Sequence, residues 1–297
     1  MLGAQANLWT EYIKTPAKVE YMIFPRISAL SEVLWTAPEQ KDWQDFERRL
    51  MTQFKRYALW DAEYSLAYYD IKASVAPNPG QQGVLASLEA KMDQGKLLYT
   101  LNKNPTAKAY TGPLPITAST TLTAYYYKKD QLLDSLSLNF HINKASGKAI
   151  QLQQEPSGYF PGKGAFTLVD GMLNTAGGRT QESLGFSGTD VTAVIDLGTI
   201  ESISSVRVHA LNAGGTYVYP PQAVEVYGSA DGQRYTALGS TKSAHMQKDT
   251  NSVYKVDFKP AGTRYVKVVV KNMGKVTEGK SGAGEPTWLF LDEIEIH

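Results

Sequence analysis

Between Val19 and Trp35 the apolar side chains return at helical spacing. Val19, Met22, Ile23, Ile27, Leu30, Val33 and Leu34 share one side, and Trp35 extends that face. Thr15-Pro16 predicts the start of this helix, because threonine accepts from free N–H groups and proline suits the first helical position. Ala37-Pro38 predicts its end. A second stripe, Trp43, Phe46, Leu50, Phe54 and Tyr57, leaves Asp42, Glu47, Arg48, Arg49 and Lys55 mostly off the apolar side, which predicts an amphipathic helix. Ahead of both, the small and partly apolar run 2–8 predicts a short buried strand.

After residue 62 the helical period is lost. Pro77, Pro79, Gly80 and Gly83 punctuate the chain, and residues 96–99 and 120–127 read as strands. Leu136, Leu138, Phe140 and Ile142 alternate with Ser137, Asn139 and His141, the pattern of a half-buried strand. Residues 63–155 therefore read as a small antiparallel sandwich. In the run Tyr125-Tyr126-Tyr127 neighbouring rings must face opposite ways, so the run defines no platform by itself. Packing in a structural linker domain is the simpler reading.

Residues 156–297 are richer in turns, with strands expected at 192–197, 206–210, 223–227 and 265–270. Asp231-Gly232 predicts a hairpin turn, and 288–296 is an apolar run interrupted by Asp292, Glu293 and Glu295. Gly177-Gly178, Gly214-Gly215 and residues 275–284 read as loops, the last as the most mobile. An all-β sandwich follows from this pattern.

With 297 residues the chain has room for two or three domains. A net charge of +1 excludes the strongly basic field of a general nucleic-acid binder. Without cysteine there are no disulfides or thiolate metal sites, and His141, His209, His245 and His297 lack ligand spacing. No stretch reaches the length of an apolar membrane span, and the first residues do not read as a signal peptide.

Leu2-Gly3-Ala4-Gln5-Ala6-Asn7-Leu8-Trp9-Thr10-Glu11-Tyr12, then Glu20-Tyr21-Met22, Phe24-Pro25-Arg26 and Glu32-Val33-Leu34-Trp35, resembles the end of a family 20 β-N-acetylhexosaminidase barrel. Tyr99-Thr100-Leu101, Asn104-Pro105-Thr106, Tyr110-Thr111-Gly112-Pro113 and 143–148 resemble the small Ig-like domain appended to such enzymes. Residues 166–171, 194–198 and 288–294 resemble a discoidin-type, galactose-binding-like sandwich of the F5/8 type C kind. The resemblance implies three domains: 1–62, the mostly helical C-terminal remnant of a (β/α)₈ barrel; 63–155, Ig-like; and 156–297, discoidin-like. A whole barrel needs about 250 residues, so the expectation is a C-terminal fragment.

In that family an adjacent Asp–Glu pair drives substrate-assisted retaining hydrolysis, the glutamate as general acid and the aspartate orienting the substrate's own N-acetyl group. The strands that carry the pair would precede Met1, so the expectation is an exo-hexosaminidase whose isolated C-terminal region has no catalytic residue and is inactive. Asp292-Glu293 imitates the pair but sits in discoidin-like surroundings. The other reading is a non-catalytic region for glycan attachment or enzyme architecture.

Trp9 and Glu11 match residues that, in the intact parent, stack on and hydrogen-bond the terminal N-acetylhexosamine; alternatively Trp9 packs in the core and Glu11 caps a loop or is solvated. Arg26 and Glu32 read as structural contacts. Discoidin-type modules often hold a structural calcium ion, and Asp170, Thr175 and Glu293 fit its ligands, with Asn174 near by and backbone carbonyls completing the shell. A turn capped without metal is the alternative. For glycan binding the residues to inspect are Arg179, Asn212, Tyr217, Tyr219 and Trp288; an inert spacer with Trp288 buried is the bland alternative. By substrate class, such an enzyme works in the periplasm, at the cell surface or outside the cell.

Overall fold

Helix α1 (Pro16–Ile23) begins where Thr15 Oγ1 accepts from Lys18 N–H at 3.2 Å. It stops at Phe24, whose backbone is extended, and a second helix, α2 (Arg26–Trp35), follows. The single helix expected from the apolar period is thus two. Pro25 lacks an N–H and pushes its predecessor out of the helical region, which outweighs the continuous period. Arg26 then donates to the carbonyls of Tyr21 and Met22 at 3.1 and 2.9 Å, satisfying acceptors at the end of α1.

Helix α3 (Trp43–Leu59) is capped by Asp42 Oδ1, which accepts from Asp45 N–H. Phe46, Leu50, Phe54 and Tyr57 are buried as the stripe requires, while Trp43 is exposed. Glu32 receives two hydrogen bonds from Arg49, at 2.7 and 2.9 Å, tying α2 to α3. The expected strand at 2–8 is not formed over residues 3–8, which are irregular and almost wholly exposed. Small apolar residues fit a strand only where a partner takes their backbone groups, and no described strand pairs with them. Ile27, Val33, Leu34 and Trp35 leave an apolar face of α2 open.

This computed structural model describes residues 3–90, 95–128, 130–174, 181–213, 217–242, 245–246 and 251–297. The helical part, up to Asp70, is one compact unit, and the strands from Ile71 onward form another. No helix among the described residues is long and apolar enough to cross a membrane.

The second unit starts with β1 (Ile71–Pro77), β2 (Val84–Ala90), β3 (Lys96–Leu101), β4 (Lys108–Ala109), β5 (Leu114–Ile116), β6 (Thr120–Lys128) and β7 (Gln131–Phe140). They make two antiparallel sheets, ordered β1-β2-β5 and β4-β3-β6-β7. Val84, Ala86, Leu122, Ala124 and Tyr126 are buried. Tyr126 points inward, and its neighbours Tyr125 and Tyr127 stay half-buried on the other face.

Residues 140–148 fasten these sheets to the last one. Asn143 Oδ1 accepts from Ala145 N–H (2.8 Å) and from Ile296 N–H (3.1 Å), and Lys144 N–H donates to Ile296 O. His141 N–H donates to Gly171 O and Gly147 N–H to Val169 O. The following strand, β8 (Ala149–Leu152), pairs with β10, so the last sheet takes a strand from ahead of residue 155.

That sheet comprises β9 (Leu184–Ser187), β10 (Val191–Leu211), β11 (Ala223–Ser229), β12 (Thr236–Thr241), β13 (His245–Met246), β14 (Asn251–Lys271) and β15 (Trp288–Ile296). Its path is β12-β11-β14-β10-β15-β9, with β8 and β13 pairing off it. The strands expected at 192–197 and 206–210 are two halves of β10, which slips register against β14 between them. Val206, Val208, Val224, Val226, Val266 and Val268 alternate inward to form the core. Gly232, at φ +75°, makes the turn after Asp231, whose Oδ1 accepts from the N–H groups of Gln233 and Arg234. The loop 275–284 is closed by Val276 N–H to Glu285 O (2.9 Å) and Gly284 N–H to Val276 O (3.0 Å). Gly177-Gly178 and Gly214-Gly215 lie outside the described residues.

Candidate sugar and cation sites

At one end of the β10–β15 sheet the chain brings three of the inspected aromatics together. Trp288 opens β15, and its N–H donates to Tyr217 O (2.8 Å) while Tyr219 N–H donates to Trp288 O (3.0 Å). This parallel bridge pairs Val218 with Trp288, so the backbone of Tyr217 and Tyr219 flanks the start of β15. Behind it, Phe160 meets Trp288 and Phe290 edge-on, with centroids 5.4 and 5.0 Å apart. The outcome at each ring differs. Tyr219 is buried, Trp288 is half-buried, and Tyr217 presents 38% of its surface.

Two residues that sequence reasoning passed over complete this surface. Lys280 Nζ stands 5.1 Å from the centre of the Tyr219 ring, a cation–π distance. Gly282, at φ +77°, lets the Tyr217 ring lie directly on its backbone, where a Cβ would collide with the ring. Both sit in the segment read only as a loop, and no local sequence pattern marked them. Asn212 is half-buried near the same crossing, and Arg179 lies outside the described residues. The result is one exposed ring, Tyr217, on a loop whose Lys280 lies against the neighbouring Tyr219, chemistry suited to the apolar face and hydroxyl edge of a pyranose.

The carboxylates gather on the 170–174 loop. A register slip opposite His209 and Ala210 lets two adjacent β15 side chains reach it. Gly171 N–H donates to Glu293 Oε2 (3.2 Å), and Asn174 N–H donates to Asp292 Oδ2 (2.9 Å). Asp170 Oδ1 accepts from Met172 N–H (2.9 Å), and its Oδ2 lies 3.3 Å from Lys163 Nζ. Asn174 Nδ2 donates to Ser183 Oγ. Thr175 lies outside the described residues.

Burial governs the electrostatics here. It pushes the Asp170 carboxyl up to about 6 against the opposing Lys163 ammonium, and the Asp292 carboxyl up to about 6 as well. Burial, then the charges of Asp170 and Asp292, hold Glu293 well above the ordinary glutamate range. Glu293 is 0% exposed, and its Oε1 has no hydrogen-bond partner among the described residues. An orphaned buried carboxylate oxygen beside a second carboxylate suits a hard cation. Among the described residues no group of three His, Cys, Asp or Glu side chains is placed to hold a metal ion by itself, so backbone carbonyls would have to supply most of the shell.

Trp9 and Glu11 belong to the helical unit. They lie on the irregular N-terminal segment, exposed, with Trp9 at 77%, so within this chain Trp9 does not pack in a core. Two acidic side chains of the helices are structurally engaged. Glu20 accepts from Glu63 N–H at 2.9 Å, and Glu32 is held by Arg49.

Comparison with known proteins gives two family matches. Residues 1–38 match the model of the glycosyl hydrolase family 20 catalytic domain, and residues 148–283 match the F5/8 type C domain. A β-hexosaminidase of Porphyromonas gingivalis is 35% identical over 111 residues, covering 37% of this chain and 13% of that protein. A β-N-acetylhexosaminidase of Cellulomonas fimi is 40% identical over 50 residues, covering 17% of this chain and 10% of that protein. The chain thus spans a small part of the length of these relatives. Among solved structures, chitosan-binding module 1 of a Paenibacillus sp. IK-5 chitosanase/glucanase overlays 52% of this chain and 98% of its own, at 16% identity and a TM-score of 0.35. The C-terminal domain of a Bacteroides fragilis chitobiase overlays 52% and 95%, at 17% identity and a TM-score of 0.35. The chain carries a segment of a family 20 glycosyl hydrolase catalytic domain at its start and a discoidin-type F5/8 type C domain from residue 148.

Proposed function

We propose that this chain is the accessory region of an exo-acting β-N-acetylhexosaminidase, binding glycan without hydrolysing it. The observation that carries the reading is the fixed crossing of Tyr217, Tyr219 and Trp288 with Lys280 at the loop end of the discoidin-type domain. A terminal sugar stacks its C–H face on the exposed Tyr217 ring, and Lys280 donates to its hydroxyls. Hydrolysis in the parent enzyme uses an Asp–Glu pair on barrel strands and the substrate's own N-acetyl group. In this chain the adjacent Asp292-Glu293 pair is sealed inside the domain, at 3% and 0% exposure, where no glycosidic bond can reach it. Trp9 and Glu11 contribute to a terminal-sugar subsite only in the presence of a whole barrel.

Calcium belongs to the same proposal. Asp170 and Glu293 would hold the ion, with Thr175 and backbone carbonyls, and the ion would neutralise carboxylates that burial otherwise disfavours. The glycans concerned lie in the periplasm, on the cell surface or outside the cell. Two assays on the purified chain test the reading. Saturable calorimetric binding of N-acetylglucosamine, N-acetylgalactosamine or galactose, with no release of nitrophenol from p-nitrophenyl N-acetyl-β-glucosaminide, supports it. Turnover of that substrate would overturn the non-catalytic assignment.

A further inference from the structure

The outer face of the four-stranded sheet in the middle of the chain carries a groove of about 660 Å³. Its floor follows from register. Pairing sets Lys96 opposite Tyr127, Leu98 opposite Tyr125 and Thr100 opposite Thr123, and all six line the groove. Tyr125 and Tyr127 are two residues apart on β6, so their rings repeat along one face at about 6.8 Å. On the next strand Ser135 and Ser137 stand opposite Tyr125 and Thr123 and extend a row of hydroxyls; Thr123 Oγ1 and Ser137 Oγ are 3.1 Å apart.

One wall is the turn after β3, and it is built to stay in place. Asn102 and Lys103 both adopt left-handed backbone, at φ +52° and +55°. Asn102 Oδ1 accepts from Thr120 Oγ1 (2.7 Å) and Thr121 N–H (3.1 Å), and its own N–H donates to Thr121 O (2.9 Å). Asn104 Oδ1 accepts from Thr106 N–H (2.9 Å). The turn thereby sets Lys103, Asn104 and Pro105 over the tyrosines at the cost of a strained lysine backbone. Lys96 and Lys103 face one carboxylate, Asp130, in the lining, and neither lysine forms an ion pair among the described residues.

We propose that this groove binds an acidic oligosaccharide, its pyranose faces on Tyr125 and Tyr127 and its carboxylates on Lys96 and Lys103. Aromatic rings interleaved with hydroxyls suit sugar rather than a protein partner, whose interface core excludes charge. The pair of ammonium groups gives the charge complementarity that selects an anionic chain. This site is separate from the Tyr217–Trp288 crossing and does not depend on it.

The test is calorimetric titration of the whole chain with a hyaluronan octasaccharide and, as neutral probe, chitohexaose. Hyaluronan binds at least about tenfold more tightly than chitohexaose, and the difference shrinks in high salt. The double variant Tyr125→Thr, Tyr127→Thr keeps a strand-favouring residue at each position and loses the octasaccharide at least about tenfold. Lys96→Gln with Lys103→Gln, which touches no buried group, removes the preference for the acidic probe. A Tyr217→Ala variant keeps octasaccharide binding, which separates this groove from the loop-end site. Failure of the wild-type chain to bind the octasaccharide, equal affinity for both probes, or binding indifferent to the tyrosine and lysine changes would overturn the proposal.

Discussion

Tyr217 and Gly282 form a pair in which one residue is exposed for contact and the other is small to permit it. Replacing Tyr217 by alanine removes an exposed ring, so unfolding free energy should change by less than about 0.5 kcal/mol while sugar affinity falls about tenfold. Urea melts and calorimetric titration of the variant check the two halves separately. Gly282→Ala acts differently. Its left-handed backbone and the ring above it both resist a Cβ, so about 1 kcal/mol of stability should be lost along with the Tyr217 pose. Thermal melts and the same titration read both effects. The aromatic members of this site were legible in the sequence as side chains worth inspecting. Lys280 and Gly282 were not, because their importance arises from a crossing between segments some sixty residues apart, and a local pattern carries no trace of it. For the candidate cation site the sequence named Asp170, Thr175 and Glu293; Thr175 lies outside the described residues, and Glu293 of β15 meets the loop that carries Asp170. The structure also adds Asp292, which strand alternation sends to the far face and a β-bulge brings back.

Among elements, β10 and β14 are clamped where β10 slips register. Arg264 donates to Asp196 through Nε and an Nη, both at 2.8 Å, and these hydrogen bonds hold the Asp196 carboxyl below its ordinary 3.8. A depressed carboxylate contributes stability above its unfolded value and loses it as pH falls through the folded one. Arg264→Gln should therefore destabilise slightly at pH 7, and the loss should fade as pH falls through the lowered titration of the folded Asp196 carboxyl. Urea melts at several pH values reveal this as a convergence of the two curves in acid. Asn143 is a stronger joint. Its one side-chain oxygen serves two buried N–H groups, so Asn143→Ala should destabilise by about 2–4 kcal/mol, measurable in the same melts. The alternation in β7 and the stripe of α3 were readable from residue order, since each element's burial is periodic. The break at Pro25 was missed because apolar spacing ran straight through it. The pairing of β8 with β10 was hidden because a strand's sequence does not name its neighbour.

The molecule as a whole consists of a helical unit whose first residues match a family 20 glycosyl hydrolase catalytic domain and a β region that carries an F5/8 type C match. Calcium should stabilise the β region specifically. At a hundredfold excess over its dissociation constant the ion contributes about 2.7 kcal/mol, which raises the melting temperature by several degrees. Chelator should reverse the rise, and Glu293→Gln should abolish it; a calorimetric scan with and without calcium shows both. Residue order revealed the division into helical and β parts directly, through the loss of helical period after residue 62. The open apolar face of α2 is consistent with helices drawn from a larger catalytic domain.

The central claim is that this chain binds sugar at the Tyr217–Trp288 crossing and does no hydrolysis. It is tested most directly by calorimetric titration of the intact chain with N-acetylglucosamine, N-acetylgalactosamine and galactose in calcium, beside its Tyr217→Ala variant. Saturable binding of at least one sugar, weakened about tenfold in the variant, is the expected result. Heats that never saturate for any of the three, or an affinity that Tyr217→Ala leaves untouched, would contradict it.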